Sequence, residues 1–155
     1  MQRALALGCA LGANLQAHHV IAGPSAAWVV LGGMPPPYAE LLSPAHRGDL
    51  AGVVLRHSRI LPDDIETIGG APITVPVRTA LDLLRFAPTR IAGPALHQLV
   101  DGGHAQVEEI GRRLRLMHRY PGVHAARKRL EQMLGAQRVV SGALVPTGLP
   151  SAVTR

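Results

Sequence analysis

One cysteine, Cys9, stands in 155 residues, so neither a disulfide framework nor a cysteine-built zinc site can form within the chain. Aromatic residues are nearly absent, being only Trp28, Tyr38, Phe86 and Tyr120. That scarcity argues against a single-strand nucleic-acid binder, which stacks bases on aromatic platforms. No apolar run reaches the ~18 residues that a membrane-spanning helix requires, and no membrane partner is expected. Lysine occurs once, at Lys128, and charged residues make up only 17 % of the chain. The 47 % of hydrophobic residues is enough to bury a core, which excludes disorder throughout. The length fits one compact domain, with or without a tail.

What is present is positive charge carried by arginine. Sixteen basic residues face ten acidic ones, a net charge of +6, and fifteen of the sixteen are Arg. An Ala-, Arg-, Gly- and Pro-rich composition with so little Lys fits a GC-rich genome, so part of the arginine bias reflects codon usage. The distribution is more informative. Arg112, Arg113, Arg115, Arg119, Arg127, Lys128, Arg129 and Arg138 fall in one stretch opposed only by Glu131. Such a cluster suits phosphate backbones or an acidic partner; it is equally what the solvated face of two surface helices looks like.

Periodicity orders the chain into three parts. Residues 1–16 read as a helix weakened by Gly8 and Gly12, with Cys9 as a small core residue. The opening Met1-Gln2-Arg3 and its apolar sequel also have the outline of an export signal, but the run before Cys9 is shorter than an ordinary signal core. Ser25 is expected to cap a helix through Val29 that stops at Gly32-Gly33, and Met34-Pro35-Pro36-Pro37 leaves it extended. Strands are expected at Glu40–Leu42, Gly52–Ser58, Ile65–Ile68 and Ala71–Val75, with turns at Pro62-Asp63-Asp64 and Gly69-Gly70. From Pro76 the period becomes helical, giving helices at Val77–Phe86, Ile91–Val100, Gln106–His118 and Val123–Leu134. The expected fold is therefore α+β: a small, mostly antiparallel sheet over residues 40–76, N-terminal helices, and a helical bundle over 77–134. Residues 1–135 read as one domain and 136–155 as a poorly ordered tail.

No catalytic constellation emerges. The eight histidines include no His-Glu-x-x-His, and His18-His19, being adjacent, do not share one face. Asp63-Asp64 after Pro62 has the form of a turn rather than a catalytic pair. The glycine pairs lack the lysine and helix context of a phosphate cradle, and Ser25 lacks a nucleophile-elbow glycine. Arg78 and Asp82 stand four apart on a helix, which predicts an ion pair fixing that helix to the sheet. No catalytic residue, metal or cofactor is expected.

The segment Leu61-Pro62-Asp63-Asp64-Ile65, with Gly69-Gly70-Ala71-Pro72-Ile73-Thr74-Val75-Pro76-Val77-Arg78-Thr79-Ala80-Leu81-Asp82-Leu83 after it, resembles the AbiEi-type antitoxins of type IV toxin–antitoxin systems. The actinobacterial form of that family carries an LPxDD…GGxxVTxPxRTxxDL pattern. Ser25-Ala26-Ala27, the strand ending Arg56-His57, and Tyr120-Pro121-Gly122-Val123 with Ala125-Ala126-Arg127 resemble its flanking segments more weakly. The resemblance spans residues 20–137 and implies a cytoplasmic, non-enzymatic antitoxin or transcriptional regulator. Its implied partners are a nucleotidyltransferase-type toxin and DNA. It differs from the family pattern at both ends, lacking room for a winged helix-turn-helix before residue 20 and diverging after Gln137, and so reads as a truncated or frameshifted member or a split gene product.

Asp63, Asp64, Gly69, Gly70, Thr74, Pro76, Arg78, Thr79 and Asp82 form a motif of turn, cap and clamp residues, structural in character. Binding falls to Arg112, Arg113, Arg115, Arg119, Arg127, Lys128 and Arg129, and replacing Arg112, Arg113 and Arg127 by Ala is expected to weaken any DNA affinity. The alternatives are a remnant of a nuclease-like protein that keeps metal-dependent cleavage, or one with no independent activity.

Overall fold

A computed structural model describes residues 1–12, 15–45 and 51–142. The elements in chain order are α1 (Gln2–Leu11), β1 (Val20–Ile21), α2 (Gly23–Leu31), β2 (Ala39–Ser43), β3 (Val53–His57), β4 (Ile65–Ile68), β5 (Ala71–Thr74), α3 (Pro76–Phe86), α4 (Thr89–Asp101), α5 (Val107–Leu116) and α6 (Val123–Gly142). The fold is α+β, as expected.

The sheet departs from expectation in one respect: it is mixed. Its strand order is β3-β2-β1-β5-β4. The pairs β1/β2 and β4/β5 are antiparallel, whereas β1/β5 and β2/β3 are parallel. The seam of the sheet is β1, which lies upstream of residues 40–76 and pairs Ile21 with both Leu41 and Ile73. The hairpin β4–β5 turns at Gly69-Gly70, where φ values of 58° and 80° suit only glycine.

Ser25 is not the cap of α2. Ala22 takes that position in an extended conformation, and Ser25, inside the first turn, accepts the Glu40 amide on Oγ at 2.9 Å. That bond fastens α2 to β2. Any side chain at Gly23 would strike Glu40, whose Oε1 lies 2.5 Å from the position a Cβ would occupy.

Pro76 starts α3 at a position where its missing N–H costs nothing. The helix is buried continuously from Arg78 to Arg85. It runs through the middle of the molecule, packed against α2, α4, α5, α6 and β5. Two apolar clusters result: one joins α3 to the C-terminal helices around Leu81, Leu84, Leu99 and Ile110, the other joins α1 and α2 to the sheet around Ile21, Leu41 and Ile73. Cys9, expected in the core, is exposed on α1, while Ala4 and Leu11 face inward. The last helix continues to Gly142, so residues 136–142, expected to begin a poorly ordered tail, carry on α6. The remainder of that tail lies outside the described residues. Among the described residues no helix is long and apolar enough to cross a membrane.

Candidate functional site

The central helix carries charge where a buried helix ordinarily carries none. Arg78 and Asp82 are 1 % and 0 % exposed. Their side chains meet at 2.9 Å, the expected i,i+4 pair. Asp64, from the short helical turn Pro62–Asp64, joins them: its Oδ2 accepts from Arg78 Nη1 at 2.7 Å and from the Leu61 amide at 3.0 Å. Arg85, one turn beyond Asp82, donates to Asp82 Oδ1 at 2.9 Å. Arg113 reaches from α5 to pair with Asp64 Oδ1. Each aspartate is therefore gripped by two guanidiniums, and the hub ties the β3–β4 connection to α3 and α5. Arg78 completes its fork on Ser58 Oγ at 3.0 Å and the Arg59 carbonyl at 3.1 Å.

Burial governs the electrostatics of this hub. It pushes the Asp82 carboxyl up from the ordinary range, against the pull of Arg78 and Arg85. For Arg78 burial acts downward, yet Asp82 and Asp64 together leave its pKa raised, so it remains a cation. The rest of the motif is scaffold. Thr79 Oγ1 donates to the Thr74 carbonyl at 3.0 Å, which leaves Thr74 Oγ1 to donate to Thr79 at 2.8 Å, stitching β5 to α3 across Pro76. Asp63, beside the buried Asp64, is exposed and outside the hub.

The basic cluster is not one solvated face. Arg127 bends back to the end of α5 and donates to the Leu114 carbonyl at 2.8 Å and the Arg115 carbonyl at 3.3 Å. Arg129 donates to the Leu84 and Ala87 carbonyls at 3.0 and 2.8 Å, at the end of α3. Arg3, from the other end of the chain, does the same for α2 on Val29 and Val30. Three helix C-termini are thus satisfied by arginines from other elements, where carbonyls lack intrahelical donors and the dipole favours a cation. Arg112 is exposed but chelated by Glu109 through two hydrogen bonds, which hold the Glu109 carboxyl below its usual range.

Of the seven residues expected to bind, Arg112, Arg113, Arg127 and Arg129 therefore have internal partners. Arg115, Arg119 and Lys128 are exposed, with no hydrogen-bond or ion-pair partner among the described residues. The Arg115 guanidinium lies back along α5 over Gly111. The three belong to the α5–α6 hairpin and its turn.

Sequence reading missed Arg85, Arg56 and Glu40. Glu40 is buried on β2, 3.0 Å from Arg56 of β3, and burial raises its pKa despite that partner. An apolar groove of about 570 Å³ between α2, Met34–Pro37 and α4 stands apart from all these charges. Comparison of the chain with protein-family models, curated proteins and solved structures returns no match.

Proposed function

We propose that the protein is a non-enzymatic binding module of the antitoxin or transcriptional-regulator kind, working in the cytoplasm, which engages an anionic partner through the α5–α6 hairpin. The observation that carries this reading is the trio Arg115, Arg119 and Lys128, exposed cations on a hairpin that Arg127 closes on itself and that Arg113 and Arg129 tie to the body. A rigid hairpin holds such charges in register and lowers the ordering cost of binding. The hub supports the same view: aspartates each held by two guanidiniums act as fixed counter-ions that brace the scaffold.

A phosphate backbone is the partner the free charges fit first, because attraction of this kind needs no base-reading side chain. An acidic face of a nucleotidyltransferase-type toxin, the partner implied by the resemblance to AbiEi-type antitoxins, presents the same chemistry. Titrating the full chain into labelled duplex DNA at increasing salt tests the reading. Three neutralised phosphates predict a log–log slope of about −2.7. Changing Arg115, Arg119 and Lys128 together to Gln removes the slope and leaves the fold intact. A slope unaffected by that change overturns the assignment; no binding even at low salt excludes DNA and leaves the acidic protein face as the partner to test.

A further inference from the structure

The chain between α2 and β2 is a strap held at both ends. Gly32 and Gly33, with φ of 83° and 79°, turn it out of α2. Trp28 Nε1 then donates to the Gly33 carbonyl at 3.0 Å. At the far end the Ala39 amide donates to the Gly52 carbonyl at 3.2 Å, where β2 begins. Between these ties Pro35, Pro36 and Pro37 fix their own φ angles. The strap is therefore a stiff ridge. Met34 stands 91 % exposed on it, with Pro35 and Pro37 also exposed.

The ridge borders two hollows. One is the groove of about 570 Å³ between α2 and α4, where Met34 and the three prolines form a wall facing Leu31, Ile91 and Pro94. The other, of about 260 Å³, lies against α1 and is lined by Leu7 and Ala10 together with Trp28, Pro35 and Pro36. No charged side chain lines either of them, in a chain whose net charge is +6. In the larger groove the polar end of Trp28 is already spent on Gly33, and Gln98 is the other polar side chain. Large apolar side chains nonetheless stand in water here: Met34, Tyr38 beside the strap at 60 % exposure, and Ile91 at 37 %. Aromatic residues and Met are the types enriched where proteins meet.

We propose that this face is the interface of a two-fold dimer, in which the ridge of each copy seats in the groove of the other. A ridge that is itself the wall of a groove is self-complementary in shape. A two-fold axis beside Met34 carries each ridge over the facing groove, so both contacts form at once. Charge selects the occupant. Two copies of a +6 chain repel, and like charges set against each other across an interface are costly. A face whose hollows carry no charge lets two copies bury apolar surface without opposing cations. An acidic protein or a nucleic acid finds no cation here to pair with and is drawn to the hairpin instead. The strap is tied before it docks, so seating it costs little conformational entropy. The interface is separate from the hairpin trio and does not depend on that reading.

Sedimentation velocity of the full chain, over a concentration series at low and at high salt, reads the association. The expected result is a monomer–dimer equilibrium that tightens as salt screens the repulsion between the copies. Binding of DNA through the hairpin cations weakens under the same change, which keeps the two readings apart. Met34→Glu on the ridge and Ile91→Glu in the groove each bury an unpaired carboxylate in both halves of the interface. Each weakens association about tenfold or more while the far-UV spectrum of the monomer is unchanged. Changing Arg115, Arg119 and Lys128 together to Gln leaves the dimer in place. A chain that stays monomeric at every concentration and salt overturns the interface. A dimer that tolerates both Glu variants, or one that loosens as salt rises, overturns it as well. Association lost in Met34→Glu but unchanged in Ile91→Glu overturns the groove as the seat of the ridge.

Discussion

Replacing Arg78 by Met removes the guanidinium fork and keeps much of the apolar stem. Four hydrogen bonds are lost: to Asp82, Asp64, Ser58 Oγ and the Arg59 carbonyl. Two carboxylates at 0 % and 1 % exposure each lose one of two cations. Breaking a buried pair from one side costs about 3–5 kcal/mol, because a charge stays behind without its partner. Here Asp82 keeps Arg85 and Asp64 keeps Arg113, which places the expected loss near the lower bound, about 3 kcal/mol. Against the roughly 5–15 kcal/mol of an ordinary domain, that is a large fraction of the total. Urea denaturation followed by far-UV circular dichroism reads it directly. Arg78→Lys retains the charge and loses the fork, so it recovers only part of the loss. A double-mutant cycle with Asp64→Asn isolates the link to the β3–β4 connection. A loss below about 1 kcal/mol for Arg78→Met, in the range of an exposed pair, or full recovery by Lys, would refute the view that this geometry braces the fold.

Glu40 supplies a pH signature. Burial raises its folded pKa above the unfolded value of 4.5, so its contribution to stability is full below that value and is lost as pH rises through the folded pKa. Glu40→Gln does not titrate; the stability of the native chain relative to this variant should therefore fall as pH rises above the ordinary carboxylate range, and a flat or rising difference contradicts the burial argument. Gly122 has a φ of 75°, and a Cβ there would lie 3.0 Å from the Arg85 carbonyl oxygen, whereas Gly70 at 80° opens onto free space. Gly70→Ala should cost about 1 kcal/mol for the backbone alone, and Gly122→Ala distinctly more; equal losses by chemical denaturation would show that the turn yields to the contact.

Features written within a few residues were legible in the sequence. The Gly69-Gly70 hairpin, the start of α3 at Pro76 and the Arg78–Asp82 pair all depend on local chemistry. β1 was not, because two residues carry no alternation to detect. The pairing of Asp64 with Arg113 spans 49 residues and depends on how α5 docks. The cap on α2 went wrong because Ser25 has a long-range partner, the Glu40 amide, which local preference cannot anticipate. The basic run misled for a related reason. Arginine on an amphipathic helix looks solvated in sequence, yet Arg127 and Arg129 reach carbonyls at the ends of α5 and α3.

The two-residue strand β1 imposes an order on assembly of the sheet. It bridges an N-terminal ladder, β2 with β3, and a C-terminal one, β4 with β5. Ile21 meets Ile73 only after the second ladder has left the ribosome. Until then the growing chain presents Val20 and Ile21 with one side unpaired, and the nascent protein depends on prompt arrival of β5 to hide that edge from its neighbours.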